Sequence, residues 1–204
     1  SIPVRKLNTD YERPVVKNNP GSSLERSIDP GLLSDFKDWV AKNDYTLYVG
    51  LLSMFSLLMH KCTGDRRMVI GVVTSGRIFP ETQNIVGMFV NTIPLLCRVE
   101  ADEAIADFLH RLNIAFLESM ENQDYQYDDL INDLKIKRAA NRNPLFDVSF
   151  VFDNIDTQSL ELPGIRVRGC KLDTSTSKFD LTFFAKETGA GLSIFIEYDT
   201  DLFK

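Results

Sequence analysis

From residue 32 onward the apolar positions of the chain fall into helical spacing. Leu32, Leu33, Phe36, Trp39 and Val40 recur at helical intervals, the period of one buried helix face, behind a Ser27/Asp29 capping region with Pro30 near the first turn. A second helix is predicted over about 45–61, stopping before Gly64. Its apolar residues occupy nearly every face, which implies burial on most sides. The period then breaks. Residues 68–73 are a continuous apolar run that enters a polar turn through Val73-Thr74-Ser75-Gly76-Arg77, as an internal strand does at its end. After a loop carrying Pro80, residues 89–99 predict another strand. Ile105, Phe108, Leu109, Leu112, Phe116, Leu117 and Met120 form the stripe of an amphipathic helix over about 103–122, and a short helix follows over 127–134. Further strands are predicted at 146–152, 165–171 and 179–185. Residues 192–198 alternate and close a hairpin across Thr188-Gly189-Ala190-Gly191.

Helices interleaved with strands, the last of them near enough to pair antiparallel, predict an α/β layered lobe with a mixed β-sheet and packed helices. Residues 1–30 stand apart. They are polar, hold four prolines and show little periodicity, and read as an extended leader or linker into a lobe covering 31–204. The chain stops just after a strand, at Asp199-Thr200-Asp201-Leu202-Phe203-Lys204, with no polar tail; it is expected to be cut from a longer polypeptide.

Composition narrows the function classes only a little. A chain of 204 residues, 44% hydrophobic, fits one domain or one large lobe and buries roughly 70% of its unfolded surface without staples. The net charge of -6 and pI near 5.0 leave no basic footprint for nucleic acid. Cys62, Cys97 and Cys170 are far apart and odd in number, which gives no disulfide framework and favours a reducing compartment. No signal pattern opens the sequence. The longest apolar stretch, 45–59, is interrupted by Thr46 and serines and is too short to span a bilayer. The expectation is a soluble cytoplasmic protein with neither nucleic acid nor membrane as a partner.

Catalytic candidates are scarce. Of the two histidines, His60 lies near the end of the apolar helix and His110 within the amphipathic one. His60 is either a base or a helix C-terminal histidine interacting with the dipole, and His110 reads as a packing or solvent residue. No metal-ligand spacing, P-loop or nucleophile elbow is present. What stands out is polar residues at the ends of apolar runs. Arg77, where the buried strand ends, is either a solvated loop charge or a charge paired at an interface. Asn91 and Thr92 interrupt an apolar strand and are either hydrogen-bonded for structure or line a site. Asn122-Gln123-Asp124 closes a helix, and Asn141-Arg142-Asn143-Pro144 precedes a strand; either segment is explained by helix termination or a turn alone.

Taken in order, however, these junctions resemble the condensation domains of nonribosomal peptide synthetases. Ile85-Val86-Gly87-Met88-Phe89-Val90-Asn91-Thr92 is similar to the family's (I/V)GxFVNT motif. The segment from Asn122 to Asp128 is similar to (H/N)QD(Y/V)PFE, and Arg138 to Leu145 to RDxSRNPL. Gly71 to Arg77 resembles a Gly-x-Pro-x-x-Gly-Arg stretch; Lys178-Phe179-Asp180-Leu181 and the segment from Glu197 to Phe203 match two recurrent tails, and Leu7 to Pro14 the leader of the family's second lobe. The departures are Val73 for proline, Gln126-Tyr127-Asp128 for Pro-Phe-Glu, and Ala139 and Asn141 for Asp and Ser.

The resemblance implies a chloramphenicol acetyltransferase-like fold, that of CoA-dependent acyltransferases, in which two α/β lobes flank a tunnel. It makes this chain the C-terminal lobe. The family's His-His-x-x-x-Asp-Gly motif lies in the first lobe and is absent here, so no catalytic residue and no metal ligand is expected in this chain, which would be inactive alone. Arg77 would support the site through an ion pair with that motif's aspartate. Asn91, Thr92, Gln123, Asp124 and Asn143 would line the tunnel or the lobe interface, and about 153–172 would be a crossover arm to the first lobe. No directly bound cofactor is implied: substrates arrive on the phosphopantetheine arms of upstream and downstream peptidyl carrier domains. The other implied partners are the N-terminal lobe and an adenylation domain of the same polypeptide, in antibiotic or other secondary-metabolite biosynthesis. Two readings compete with condensation: a non-catalytic module that recruits carriers, and an epimerisation or heterocyclisation lobe of the same fold.

Overall fold

The computed structural model describes residues 7–153, 165, 175–189 and 191–204. Its elements run β1 (Gly21–Ile28), α1 (Pro30–Lys42), α2 (Leu47–Thr63), β2 (Arg67–Thr74), β3 (Asn91–Arg98), α3 (Ile105–Glu121), α4 (Tyr127–Asp133), β4 (Val148–Asp153), β5 (Leu181–Thr188) and β6 (Gly191–Asp199). The six strands form one sheet in the order β1-β6-β5-β4-β2-β3. Among the described residues, β4 with β5 and β2 with β4 pair in parallel; β1 with β6, β5 with β6 and β2 with β3 are antiparallel. The sheet is mixed, as the alternation of predicted elements implied.

Local chemistry explains the helix starts. Asp29 caps α1, its carboxylate accepting from the Gly31 and Leu32 amides at 2.8 and 3.2 Å, and Pro30 opens the helix. Thr46 caps α2 by accepting from the Val49 amide at 3.3 Å, and Gly64, in the left-handed conformation at φ 73°, ends it. The all-round apolar character of α2 has its reason in the packing: it touches α1, α3 and the sheet. Leu52 and Phe55 of α2, Ile70 and Val72 of β2, Leu95 of β3, Phe108 and Leu112 of α3 and Phe150 of β4 share one core. Phe55, Phe150 and Phe183 meet with ring centroids 4.9–6.0 Å apart. The uninterrupted apolar run of β2 is likewise explained, because the strand is buried on both faces. Its Val69 joins Ile131, Leu145, Phe146 and Phe179 in a second core beneath α4. Gly71 lies on that face because the Phe146 ring occupies the space a Cβ would need.

Several boundaries move. Strand β3 begins at Asn91, leaving Phe89 and Val90 in the preceding loop. Strands β4 and β5 begin at Val148 and Leu181, later than the apolar runs that announced them. Within the stretch expected to be an extended leader, residues 21–28 are a full edge strand, in register with β6 from Gly21 opposite Asp199 to Ile28 opposite Leu192. Its sequence, GSSLERSI, has no apolar face because most of it is exposed. Charges on such a strand discourage further pairing at the sheet edge. The predicted strand at 165–171 and the predicted arm at 153–172 lie outside the described residues apart from Asp153 and Ile165. Among the described residues no helix is long and apolar enough to cross a membrane.

Residues 7–20 cross the surface as a strap. Asn8 Nδ2 donates to the Cys62 carbonyl at 2.9 Å. The Asp10 amide donates to the Leu202 carbonyl at 2.9 Å, and the Lys204 amide returns a bond to the Asp10 carboxylate at 3.0 Å. Farther along, the Lys17 amide donates to the Ala140 carbonyl at 3.1 Å, and the Ser177 amide to the Asn19 carbonyl at 2.9 Å.

Candidate functional site: a polar pocket beside the 75–90 loop

Strands β2 and β3 pair through Thr74 opposite Asn91, and between them runs one long loop with a single 3-10 turn at Pro80–Thr82. Its two ends touch where Gly76, at φ 63°, lies against the Phe89 carbonyl so closely that any Cβ would collide with it. Arg77 turns back into the loop it begins. Its guanidinium donates from Nη1 to the Thr82 carbonyl and from Nη2 to the Gly87 carbonyl at 3.2 Å. It also stacks over the Phe89 ring, 4.4 Å from the centroid. Gln83 Nε2 in turn donates to the Arg77 carbonyl at 3.1 Å. The half-buried guanidinium is thus ligated by neutral carbonyls and a ring, and no carboxylate of the described residues pairs with it. Around this hub the apolar side chains of Ile78, Phe79, Ile85, Val86, Met88 and Val90 are exposed.

Behind the loop is a polar pocket of about 320 Å³. Gly76, Met88, Phe89, Val90 and Asn91 form one wall, and Gln123, Asp124 and Gln126, just past the end of α3, form the other. Asn91 joins the two: its Nδ2 donates to the Gln123 carbonyl at 2.7 Å while its Oδ1 accepts from the Thr92 amide at 2.8 Å. Gln123 is buried and donates to the Met120 carbonyl at 2.9 Å, so it closes the helix as well as lining the pocket. Asn91, Gln123 and Asp124 therefore meet, although their sequence positions lie in two separate motifs. Thr92 falls on the opposite face of β3 and does not line the pocket. Asn143 is elsewhere: its amide donates to the Asp147 carboxylate at 3.2 Å in a turn that Arg142 braces, 3.6 Å from Asp147.

That turn belongs to a second polar cluster, which sequence inspection left unassigned. Arg13 of the strap forms a two-pronged ion pair with Asp180, whose side chain is 1% exposed, and donates also to the Asn141 carbonyl at 3.0 Å. Asn141 Nδ2 donates back to the Pro14 carbonyl at 3.0 Å. Lys17 adds a bond to the Lys178 carbonyl at 2.8 Å. The hydrogen bonds to Asp180 hold Arg13 above its ordinary pKa, whereas burial pulls Lys17 down and pushes the carboxyls of Asp199 and Glu197 up. Here the available signal was the unusual pair of segments Glu12-Arg13-Pro14 and Lys178-Phe179-Asp180, one charge of each sign.

Neither histidine reaches the pocket. His60 Nδ1 sits 2.9 Å from the Asp65 carbonyl and His110 Nδ1 3.3 Å from the Tyr45 hydroxyl, both at helix surfaces. No cluster of described residues is arranged to hold a metal ion. The site offers amide and carboxylate groups, an apolar rim and a shaped wall, with no nucleophile–base pair in it.

A mixed sheet with helices packed as described is the chloramphenicol acetyltransferase-like α/β fold; a four domain nonribosomal peptide synthetase bound to AMP and glycine superposes on 98% of the chain with a TM-score of 0.90 at 24% identity, over 16% of that larger chain. The condensation domain model matches residues 1–204, and the chain belongs to the condensation domain family. It is 34% identical over 203 residues to surfactin synthase subunit 1 of Bacillus subtilis (strain 168), and 36% identical over 203 residues to bacitracin synthase 3 of Bacillus licheniformis. Each alignment covers 100% of this chain but only 6% and 3% of those relatives.

Proposed function

We propose that this chain is the C-terminal lobe of a condensation domain that forms amide bonds between carrier-bound aminoacyl or peptidyl thioesters in cytoplasmic nonribosomal peptide synthesis. The observation that carries the proposal is the convergence of the Phe-Val-Asn-Thr and Asn-Gln-Asp segments on one polar pocket that holds no histidine. In the reaction the acceptor amine attacks the donor thioester carbonyl, the C–N bond forms, the C–S bond breaks and the released thiol carries the proton. The group that positions or deprotonates the amine belongs to the first lobe. This chain contributes the facing wall: Asn91, Gln123 and Asp124 beside the path of the pantetheine arms, and Arg77, whose guanidinium keeps N–H groups beyond the two used on Thr82 and Gly87, for an ion pair with the first lobe's aspartate. The exposed apolar rim at residues 78–90 suits contact with that lobe. Upstream and downstream carrier domains and an adenylation domain complete the set of partners.

Complementation tests the reading. With two loaded carriers, this chain alone yields no amide product, and mixing it with a separately expressed first lobe carrying His-His-x-x-x-Asp-Gly restores product. Product from this chain alone, or an epimerised rather than an extended chain after mixing, overturns it.

A further inference from the structure

We infer that Arg77 is a positioning residue for the substrate pocket in its own right, acting on its own loop through backbone carbonyls and independently of any partner across the lobe boundary. Four observations point the same way. The guanidinium binds two carbonyls, of Thr82 and Gly87, that lie five and ten residues away along the loop. It stacks on Phe89, which is itself a pocket residue. Gln83 closes the ring by donating to the carbonyl of Arg77. The loop also has almost no packing of its own to hold it, since its large apolar side chains face outward. Beyond the Arg77 hub, only the amides of Thr82, Gln83 and Ile85, at 2.9–3.3 Å, and the Thr82 hydroxyl, 2.6 Å from the Phe79 carbonyl, tie it internally among the described residues, and the carbonyl that Ile85 uses is the same Thr82 carbonyl that Arg77 holds. A planar guanidinium satisfies two carbonyls and a ring face at once, which the point charge of a lysine does not. One face of the pocket, Met88, Phe89 and Val90, therefore stands where Arg77 puts it, while the opposite face, Gln123 and Asp124, is set by the end of α3. The width of the pocket follows from Arg77.

The reading of the pocket as a substrate wall is borrowed from the proposed function; the loop mechanism is not, and two measurements separate them. The first is amide hydrogen exchange on the 204-residue chain, where no other lobe is present. Arg77→Ala is expected to speed exchange at Thr82, Gln83 and Ile85 roughly tenfold and to leave the β3 amides between Ile93 and Cys97 unchanged. Arg77→Lys is expected to fall close to the alanine variant. Unchanged exchange at 82–85 in a folded Arg77→Ala chain overturns the inference. Should the alanine variant lose β3 protection as well, Phe89→Leu, which removes only the stacked ring, carries the same expectation at about threefold. The second measurement uses the intact condensation domain. Arg77→Lys keeps the charge that a cross-lobe ion pair needs, so kcat returns toward wild type while KM for the carrier-bound substrate stays raised about tenfold. A lysine variant that restores both constants also overturns the inference. Replacing the first lobe's aspartate tests the other reading: wild-type turnover in that variant ends the ion pair and leaves the loop mechanism standing.

Discussion

Arg13, in the middle of the strap, and Arg77, just past the end of β2, are both half-buried arginines, and they are satisfied in opposite ways. Arg13 meets a carboxylate of its own chain: Asp180 is almost fully buried and binds it with both oxygens, with Asn141 adding a carbonyl. Among the described residues Arg77 meets only carbonyls and an aromatic face. A carboxylate held by cations of its own chain, here Arg13 with Lys17 at 3.8 Å, closes a structure: the strap across the ends of β5 and β6. A guanidinium held by neutral groups keeps its charge available to an external anion. The difference separates a polar junction closed within this chain from one left open, a distinction that residue type alone does not make.

The comparison breaks most visibly at Asp180. Asp180→Ala leaves Arg13 buried without its carboxylate and is expected to destabilise the fold by about 3–5 kcal/mol, measured by urea unfolding; a loss near zero would mean that the strap is not held there. Arg77→Ala is its counterpart. Unfolding free energy should move by less than about 1 kcal/mol, whereas condensation in the intact enzyme should fall roughly a hundredfold, the scale on which mispositioning acts. A large stability loss with turnover intact would reverse the two assignments. Between these extremes lies Asn91→Ala, which frees the Gln123 carbonyl and should cost about 1–2 kcal/mol, together with a rise in KM.

The smallest effect sharpens the electrostatics of the strap. Burial raises the Asp199 carboxyl above its unfolded value, so the folded state binds its proton more tightly than the unfolded chain does. The stabilisation this gives is present in full below the unfolded carboxylate pKa and is lost as the pH rises through the raised folded value. Asp199→Asn, which keeps an oxygen for the Asp201 amide now bonded at 2.9 Å, should remove that slope and gain under about 1 kcal/mol at neutral pH. A pH profile of unfolding identical to wild type would refute it.

Much of the fold was legible before any coordinates. The capping of α1 by Asp29, the burial of α2 and β2 and the stripe of α3 all follow from periods and caps that operate within a few residues. Strand β1 was not legible, because an exposed edge strand carries no apolar alternation and exists only by pairing with β6, more than 160 residues away. The start of β3 was misjudged for a related reason. Phe89 and Val90 continue an apolar run, yet the approach of Gly76 and the ring contact with Arg77 draw Phe89 out of the ladder. Of the five residues that the resemblance implies at the tunnel or the lobe interface, Asn91, Gln123 and Asp124 line one pocket of this chain, and Thr92 and Asn143 lie away from that pocket.

Hydrophobic period, helix caps and turn residues thus settled the kinds of element and the mixed α/β class, since each reflects backbone geometry over one or two turns. Partner choice was left to the assembled molecule. That Arg13 finds Asp180, and that two distant amide-rich segments share a pocket, depends on strand order. Strand order joins residues whose separation along the chain carries no local trace.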